Sequence, residues 1–449
     1  MSGRKPEEGR SPGRFGGASI PSPRYAERRK RVLEELGADA MVLPGAPVLH
    51  RSRDSELPYR PDSELHYLTG FSEPGALLVL RGFADERRSL LFTLPHDPEA
   101  ELWTGPRLGP EGAAESLGLD AGLSNEQLSV ELPGLLEGAR RVHFRLGAHP
   151  AVEPLIVRAL RTARVRGART GTGPRAVVDP GEILDEFRLR KDEHELALLR
   201  QAAAVSVQGF REGIAAVAPG RGEWEVQAAL EGSFLRQGAS GPGFATIVGA
   251  GANACTLHYV ANADRIAAGE LVLIDGGAEV GMYGGDITRT VPSDGTFGLD
   301  HRAVYEVVEA ARAAAVATVR PGASIADVHG AAVKVIVAGL VEFGILSGAV
   351  DELVEEEAHK HYFPHRTSHW LGMDTHDPGD YSRGGSSRTL EPGMVLTVEP
   401  GLYFPRGSEH FPGIGVRIED DVLVTAEGAE VLTADLPTAP DEIADLVGG

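Results

Sequence analysis

Four carboxylates and one histidine stand where this chain has to fold them inward. Asp275 ends the apolar run LVLID, Asp286 lies in YGGDITRTV, and His369 lies in HRTSHWLGMDTHD. Glu399 closes the apolar stretch MVLTVE, and Glu419 lies in GIGVRIEDDVLV. Ionised carboxylates are seldom buried without a partner. A buried cluster of four would be severely destabilised by desolvation and mutual repulsion. Two divalent cations balance that charge. Oxygen-rich ligation with a single imidazole suits Mn²⁺, Co²⁺ or Fe²⁺ better than a thiolate-bound zinc. The fold must therefore draw five separate segments around two metal ions, and the chain reads as a dinuclear metallohydrolase.

The rest of the composition narrows the setting. At 449 residues, with 42% hydrophobic and 24% charged residues, the chain suits a globular enzyme of two to three domains. Its net charge of −21 argues against binding nucleic acid or an anionic membrane surface. With one cysteine, Cys255, no disulfide can form within the chain, and the signature of an oxidising compartment is missing. Residues 1–21 are polar and rich in Gly, Pro and Ser, which predicts a disordered tail rather than a signal peptide. No run approaches the roughly 20 apolar residues of a membrane helix. A cytoplasmic location is expected.

Order is expected from Tyr25, where YAERRKRVLEELG reads as an amphipathic helix ended by Gly37. ADAMVLPG, HYLTG, ALLVL and SLLFTL read as strands, and AVEPLIVRALRTARV reads as a helix. This alternation predicts an α/β domain over residues 22–178. A long helical pattern, LRKDEHELALLRQAAAVSVQGFREGI, then opens a second domain over 179–449. That domain holds all five candidate ligands and further helices in HRAVYEVVEAARAAAVATV and IADVHGAAVKVIVAGLVEFG. The acidic run DELVEEEAHK reads as a solvated helix face.

Each part of the constellation also has a simpler reading. Between Asp275 and Asp286 the glycines allow a hairpin-like return that brings the two acids together. Aspartates in Gly-rich turns are common in any case. In GVRIEDDVLV, strand alternation puts Arg417 and Glu419 on one face, which a solvated edge strand would also do. Four histidines, His361, His365, His369 and His376, fall within one short segment, and His258 stands apart in CTLHYVAN. Imidazoles there could ligate metal, polarise a carbonyl or shuttle protons. Gly249, Gly251 and Ala254 imitate a dinucleotide-binding pattern, but CTLHYV reads as strand where that pattern needs a helix. Ser368 lacks the G-x-S-x-G context of a nucleophile elbow.

The order Asp, Asp, His, Glu, Glu in these contexts resembles the metallopeptidases with the pita-bread fold. HRTSHWLGMDTHD is similar to their proline-peptidase signature, with Arg366 and Thr375 where small or aliphatic residues are more usual. LEPGMVLTVEPGLYF and GIGVRIEDDVLVT resemble stretches of the aminopeptidase P family. YRPDSELHYLTGFSEPGALLVL resembles the non-catalytic N-terminal domain of that family and of prolidases. The resemblance runs over roughly residues 22–440. It implies an α+β protein: a C-terminal pita-bread domain, as in creatinase and methionine aminopeptidase, preceded by an α/β domain.

The resemblance also implies roles. Asp275 would chelate one metal, Asp286 and Glu419 would bridge both, and His369 and Glu399 would complete the second. A bridging hydroxide would attack, and Glu399 would act as general base. His258, His365 and His376 would bind substrate and polarise its carbonyl, while Arg417 would steady the neighbouring carboxylates. The implied activity is release of the N-terminal residue from peptides with proline second, probed with Mn²⁺ as the expected metal. A dipeptidase acting on Xaa-Pro is the alternative, and a non-catalytic binding module on the same scaffold is a remote one. Trp103, in ELWTGPRLG, would reach a neighbouring subunit's site from a Gly- and Pro-flanked loop and make the protein a homo-oligomer, a dimer or tetramer. Packing within its own domain is the simpler reading of that tryptophan.

Overall fold

The structure, a computed structural model, describes residues 19–448. It divides into two compact units, one spanning Ile20–Phe187 and one beginning at Arg188. Residues 1–18 of the expected tail lie outside the described residues. Among the described residues no helix is long and apolar enough to cross a membrane.

The first unit opens with the helix Ser22–Leu36, which buries Val32, Leu33 and Leu36 and ends at Gly37 with φ of 50°. Arg29 on the same helix is buried and donates to the carbonyls of Leu68 (2.8 Å) and Leu117 (2.6 Å). The unit is built on a six-stranded mixed sheet. Its spatial order is Ala121–Ser124, Ser89–Thr93, Leu77–Arg81, Ala40–Pro44, Arg141–His143 and Ala176–Val178. The middle strands are buried on both faces, which is why AMVLP, LLVLR and SLLFT are apolar runs rather than alternating ones. Helices Leu128–Leu136 and Glu153–Gly167 contribute Leu132, Leu136, Ile156 and Ala159 to the core against this sheet.

One expected strand here is a helix. HYLTG lies in Ser63–Thr69, not in a strand. Its tyrosine, leucine and threonine favour strand only weakly. The Asp62 side chain accepts from the Leu65 N–H at 2.9 Å, and Gly70 closes the helix in the left-handed region. End caps of this kind outweigh intrinsic strand preference.

The helix Gly181–Leu189 ends where the long helical text starts, and in the second unit that text forms the helix Glu193–Ala215. Between them, Asp192 accepts from the N–H groups of His194 and Glu195, and the Glu195 side chain returns to the Asp192 N–H. That reciprocal capping starts a new helix. Further helices span Glu223–Gln237, Leu299–Thr318 and Ile325–Glu342. The strand Leu271–Gly276 pairs antiparallel with Ile247–Ala250 on one side and Ile287–Pro292 on the other. Val395–Val398 pairs with Asp420–Val424, and Gly401–Phe404 pairs with Ile414–Arg417. Single bridges join Thr288 to Glu419 and Trp370 to Leu396. Helices and strands are mixed along both units, so the α+β class is observed.

Two local expectations change. CTLHYV is not a strand: the helix Gly251–Cys255 is of the tight 3₁₀ type, and irregular chain follows it. A five-residue helix of this kind does not offer the α-helix a dinucleotide site needs, so that exclusion stands on a different ground. DELVEEEAHK is divided between the short helix Val350–Glu355, whose Glu352 and Glu355 are exposed as a solvated face requires, and the 3₁₀ turn Ala358–His361.

Candidate metal centre

The sheet register explains how acids far apart in sequence meet. Asp275 pairs with Thr288 across two strands, and Thr288 pairs in turn with Glu419. Asp286 sits immediately before the strand Ile287–Pro292, where its N–H donates to Asp421 Oδ2 at 3.1 Å. The close return between Asp275 and Asp286 depends on Gly277. A Cβ placed there would lie 1.7 Å from the Gly285 carbonyl oxygen. Glu399 follows directly on the strand Val395–Val398, and its N–H donates to the Thr367 carbonyl. His369 lies in an irregular segment tied to that same strand through the Thr397 N–H.

These elements enclose a cavity of about 1150 Å³ within the second unit. Asp275, Asp286, His369, Glu399 and Glu419 all line it, as do His258, His365, His376 and Arg417. Arg366 and Thr375, the two departures from the familiar motif, line it as well. His361 is exposed and lies elsewhere. Trp103 belongs to the first unit, where it is 83% exposed. It stands not in a loop but near the end of the helix Pro98–Thr104. Asp97 caps that helix and Pro98 presets its first turn, while the flanking Gly105 and Pro106 follow its end. Its exposure also excludes packing within its own unit.

The donor set fits divalent cations on several independent grounds. Ligand atoms of Asp286, His369 and Glu419 lie within 4.8 Å of one another. His369 Nδ1 lies 3.0 Å from the Trp370 carbonyl, an acceptor only, so Nδ1 carries the proton. Its Nε2 is then the ring nitrogen aimed at Asp286 Oδ2 at 3.4 Å and Glu399 Oε1 at 3.7 Å, where a cation shared with both carboxylates would sit. Asp275 Oδ1 is buried with no hydrogen-bond partner. The carboxyls of Asp286 and Glu419 are held well above the usual range, first by burial; Asp275, Asp421 and Glu399 then raise Asp286, and Asp286, Glu399 and Asp275 raise Glu419. Desolvation pushes the Glu399 carboxyl up to about 7 against the opposing pull of His369 and Arg417. Bound dications would reverse these shifts.

Arg417 organises the anionic side of the site. Its Nη2 donates to Asp275 Oδ2 at 2.5 Å, its Nε to Thr288 Oγ1 at 3.1 Å and its Nη1 to the Tyr403 hydroxyl at 3.1 Å. Thr288 Oγ1 passes its own proton to Glu419 Oε2 at 2.6 Å. His365 Nδ1 faces the Arg366 carbonyl at 2.8 Å, which leaves Nε2 to accept from Tyr403 at 2.8 Å. Desolvation, with Arg417 nearby, drops the His365 imidazole to about 4, so the ring is neutral near pH 7. The His376 imidazole is also lowered, by burial and by His369 and His258. Tyr403 and Thr288 were not among the sequence candidates. Thr288 carried a signal all the same: it stands two residues after Asp286 and so shares its face of the strand.

Residues 197–426 match the metallopeptidase family M24, and residues 25–143 match the aminopeptidase P N-terminal domain. The Xaa-Pro aminopeptidase of Escherichia coli is 40% identical over 96% of this chain and 98% of its own length. Human Xaa-Pro aminopeptidase 3 is 31% identical over 94% of this chain and 85% of its own length. Among solved structures, the Pseudomonas aeruginosa aminopeptidase PepP superposes with a TM-score of 0.91 at 42% identity, covering 95% of this chain and 98% of that one. A zinc-substituted E. coli aminopeptidase P in complex with product gives a TM-score of 0.91 at 40% identity, over 96% and 98% of the two chains. The ligand-bearing unit has the pita-bread fold. Matches that run through both units place this chain in metallopeptidase family M24, among its aminopeptidase P members.

Proposed function

We propose that this chain is a metal-dependent aminopeptidase that releases the N-terminal residue from peptides with proline in second position. The observation that carries this reading is the convergence of Asp275, Asp286, His369, Glu399 and Glu419 on one peptide-sized cavity. Similarity to Xaa-Pro aminopeptidases along nearly the whole chain supports the same activity.

We assign Asp275 to one divalent ion, Asp286 and Glu419 to both, and His369 and Glu399 to the second. The oxygen-rich donor set favours Mn²⁺. When bound, such ions make a water acidic enough to attack near neutral pH and draw charge from the scissile carbonyl. The chain's own groups do the rest. Glu399 takes the proton that the attacking water loses and returns it to the prolyl nitrogen as the C–N bond breaks. His258 and His376 bind the peptide and polarise its carbonyl. His365, neutral and held between the Arg366 carbonyl and Tyr403, meets the peptide with its ring rather than a free N–H and adds no charge. Arg417 keeps Asp275 oriented. A prolyl ring lacks the N–H that ordinary peptidase sites use, so the cavity recognises it by shape.

Residues 22–178 are assigned as a non-catalytic domain and 179–449 as the catalytic one. The enzyme acts in the cytoplasm as a homo-oligomer, a dimer or tetramer, in which Trp103 of one copy contributes to substrate binding in the next. Its exposure in the single chain supports that role.

Metal analysis combined with hydrolysis of Xaa-Pro and Xaa-Pro-Yaa peptides tests the reading. Chelation should abolish hydrolysis, and Mn²⁺ should restore it best. Full activity in metal-stripped protein would overturn the metal assignment. Turnover of dipeptides alone would make the enzyme an Xaa-Pro dipeptidase.

A further inference from the structure

The segment that carries His258 has no helix or strand of its own from residue 256 to 264. Yet Leu257, His258 and Val260 all contribute to the cavity wall. Irregular chain keeps a side chain in place only if something fixes its backbone. Here that is a carboxylate outside the metal cluster. Glu223, the first residue of the helix Glu223–Gln237, is fully buried. Its Oε1 accepts from the Ala250 N–H at 2.8 Å and from Asn253 Nδ2 at 3.0 Å. Its Oε2 accepts from the Tyr259 hydroxyl at 2.9 Å and from the Asp264 N–H at 2.8 Å.

Asn253 and Asp264 bracket the segment, and Tyr259 is the immediate neighbour of His258. Asn253 also donates to Asp264 at 2.9 Å, which closes the loop on itself. The Tyr259 ring packs against Ile247, Ala254 and Leu273. A second buried residue, Asn262, ties the same segment to the sheet. It accepts from the Val248 N–H at 2.9 Å and donates to the Thr246 carbonyl at 2.8 Å.

We propose that Glu223 is a positioning residue for the reaction: its four hydrogen bonds hold the 253–264 loop so that His258 keeps a fixed place on the cavity wall. The inference rests on the proposed role of His258 in binding the peptide. The chemistry requires a carboxylate, because all four partners donate to it. A glutamine of the same shape keeps one acceptor oxygen and turns its NH₂ on two of those donors. The backbone N–H groups among them cannot accept in return.

The test is a double-mutant cycle in the metal-loaded full-length enzyme, measuring kcat and KM on an Xaa-Pro-Yaa peptide, metal content and Tm. Glu223→Gln and His258→Ala should each lower kcat/KM by about 10- to 100-fold, the cost of a misplaced group. Metal content should stay unchanged. In the His258→Ala background, Glu223→Gln should cost almost nothing more. Independent, additive losses would overturn the proposal, as would normal kinetics in Glu223→Gln beside a defective His258→Ala. Normal kinetics in His258→Ala would instead overturn the role of His258, and the positioning role with it. Should Glu223→Gln fold poorly, Tyr259→Phe removes one hydroxyl from the same clamp. It should lower kcat/KM about 3-fold, again only while His258 is present.

Discussion

At the scale of single residues, the site is a set of groups whose charges make sense only together. In the proposed mechanism Glu399→Gln removes both a ligand charge and the group that moves the proton. It should lower kcat by at least about 10²- to 10⁴-fold, the usual worth of a general base. His369→Ala should instead chiefly weaken metal affinity, since its Nε2 is aimed at the neighbouring carboxylates. Steady-state kinetics beside metal titration separate the two, and near-normal turnover in a fully metallated Glu399→Gln variant would contradict the assignment. Asp275 and Glu399 stood out in the sequence because each ends an apolar run, whereas Asp286 and Glu419 took their meaning from the order of the whole set. Tyr403 and Thr288 were not legible, since their importance comes from which residue lies opposite across strands. The Tyr403 hydroxyl serves His365 and Arg417 at once, a link no linear pattern records.

At the scale of elements, the hairpin-like return between Asp275 and Asp286 is the tightest joint in the site. Gly277→Ala would set a methyl carbon against the Gly285 carbonyl, and neither backbone can move without parting the two aspartates. Metal content should fall well before the fold is lost, with far-ultraviolet circular dichroism near normal. Full metal loading in that variant would show that the return tolerates displacement. Long helices such as Leu299–Thr318 and Ile325–Glu342 were legible from periodicity. HYLTG and CTLHYV were not, for a common reason. Both are short, and their strand-favouring residues do not decide them: Asp62 outside the first run starts a helix that Gly70 closes, and Glu223 holds the second.

At the scale of the whole molecule, acid stability and assembly are the properties to measure. Asp377 is buried among Arg188 (2.6 Å) and Lys191 (3.0 Å). Burial alone would raise its carboxyl, but these two cations outweigh that and hold it below the usual value. A depressed folded-state value stabilises the fold above the unfolded value of about 3.9, and that contribution is lost as pH falls further. Denaturant unfolding of Asp377→Asn should therefore show a shallower loss of stability below about pH 4 than the parent. Equal slopes would remove Asp377 from the account. For assembly, Trp103→Ala should raise KM for Xaa-Pro substrates while metal content and secondary structure stay intact. Unchanged kinetics together with a monomeric mass would reject the shared site. That expectation came only from the family resemblance, because a shared site depends on a surface meeting its own copy. The row Asp275, Thr288, Glu419 has a last consequence. Side chains alternate across a sheet, so a slip of one residue in Ile287–Pro292 would turn Thr288 away and carry its bond to Glu419 with it. A chain paired out of step would offer the ions an incomplete cage. With the proposed ligand set, metal capture would select the aligned pairing, and nascent molecules that stay unmetallated should be enriched in misaligned ones.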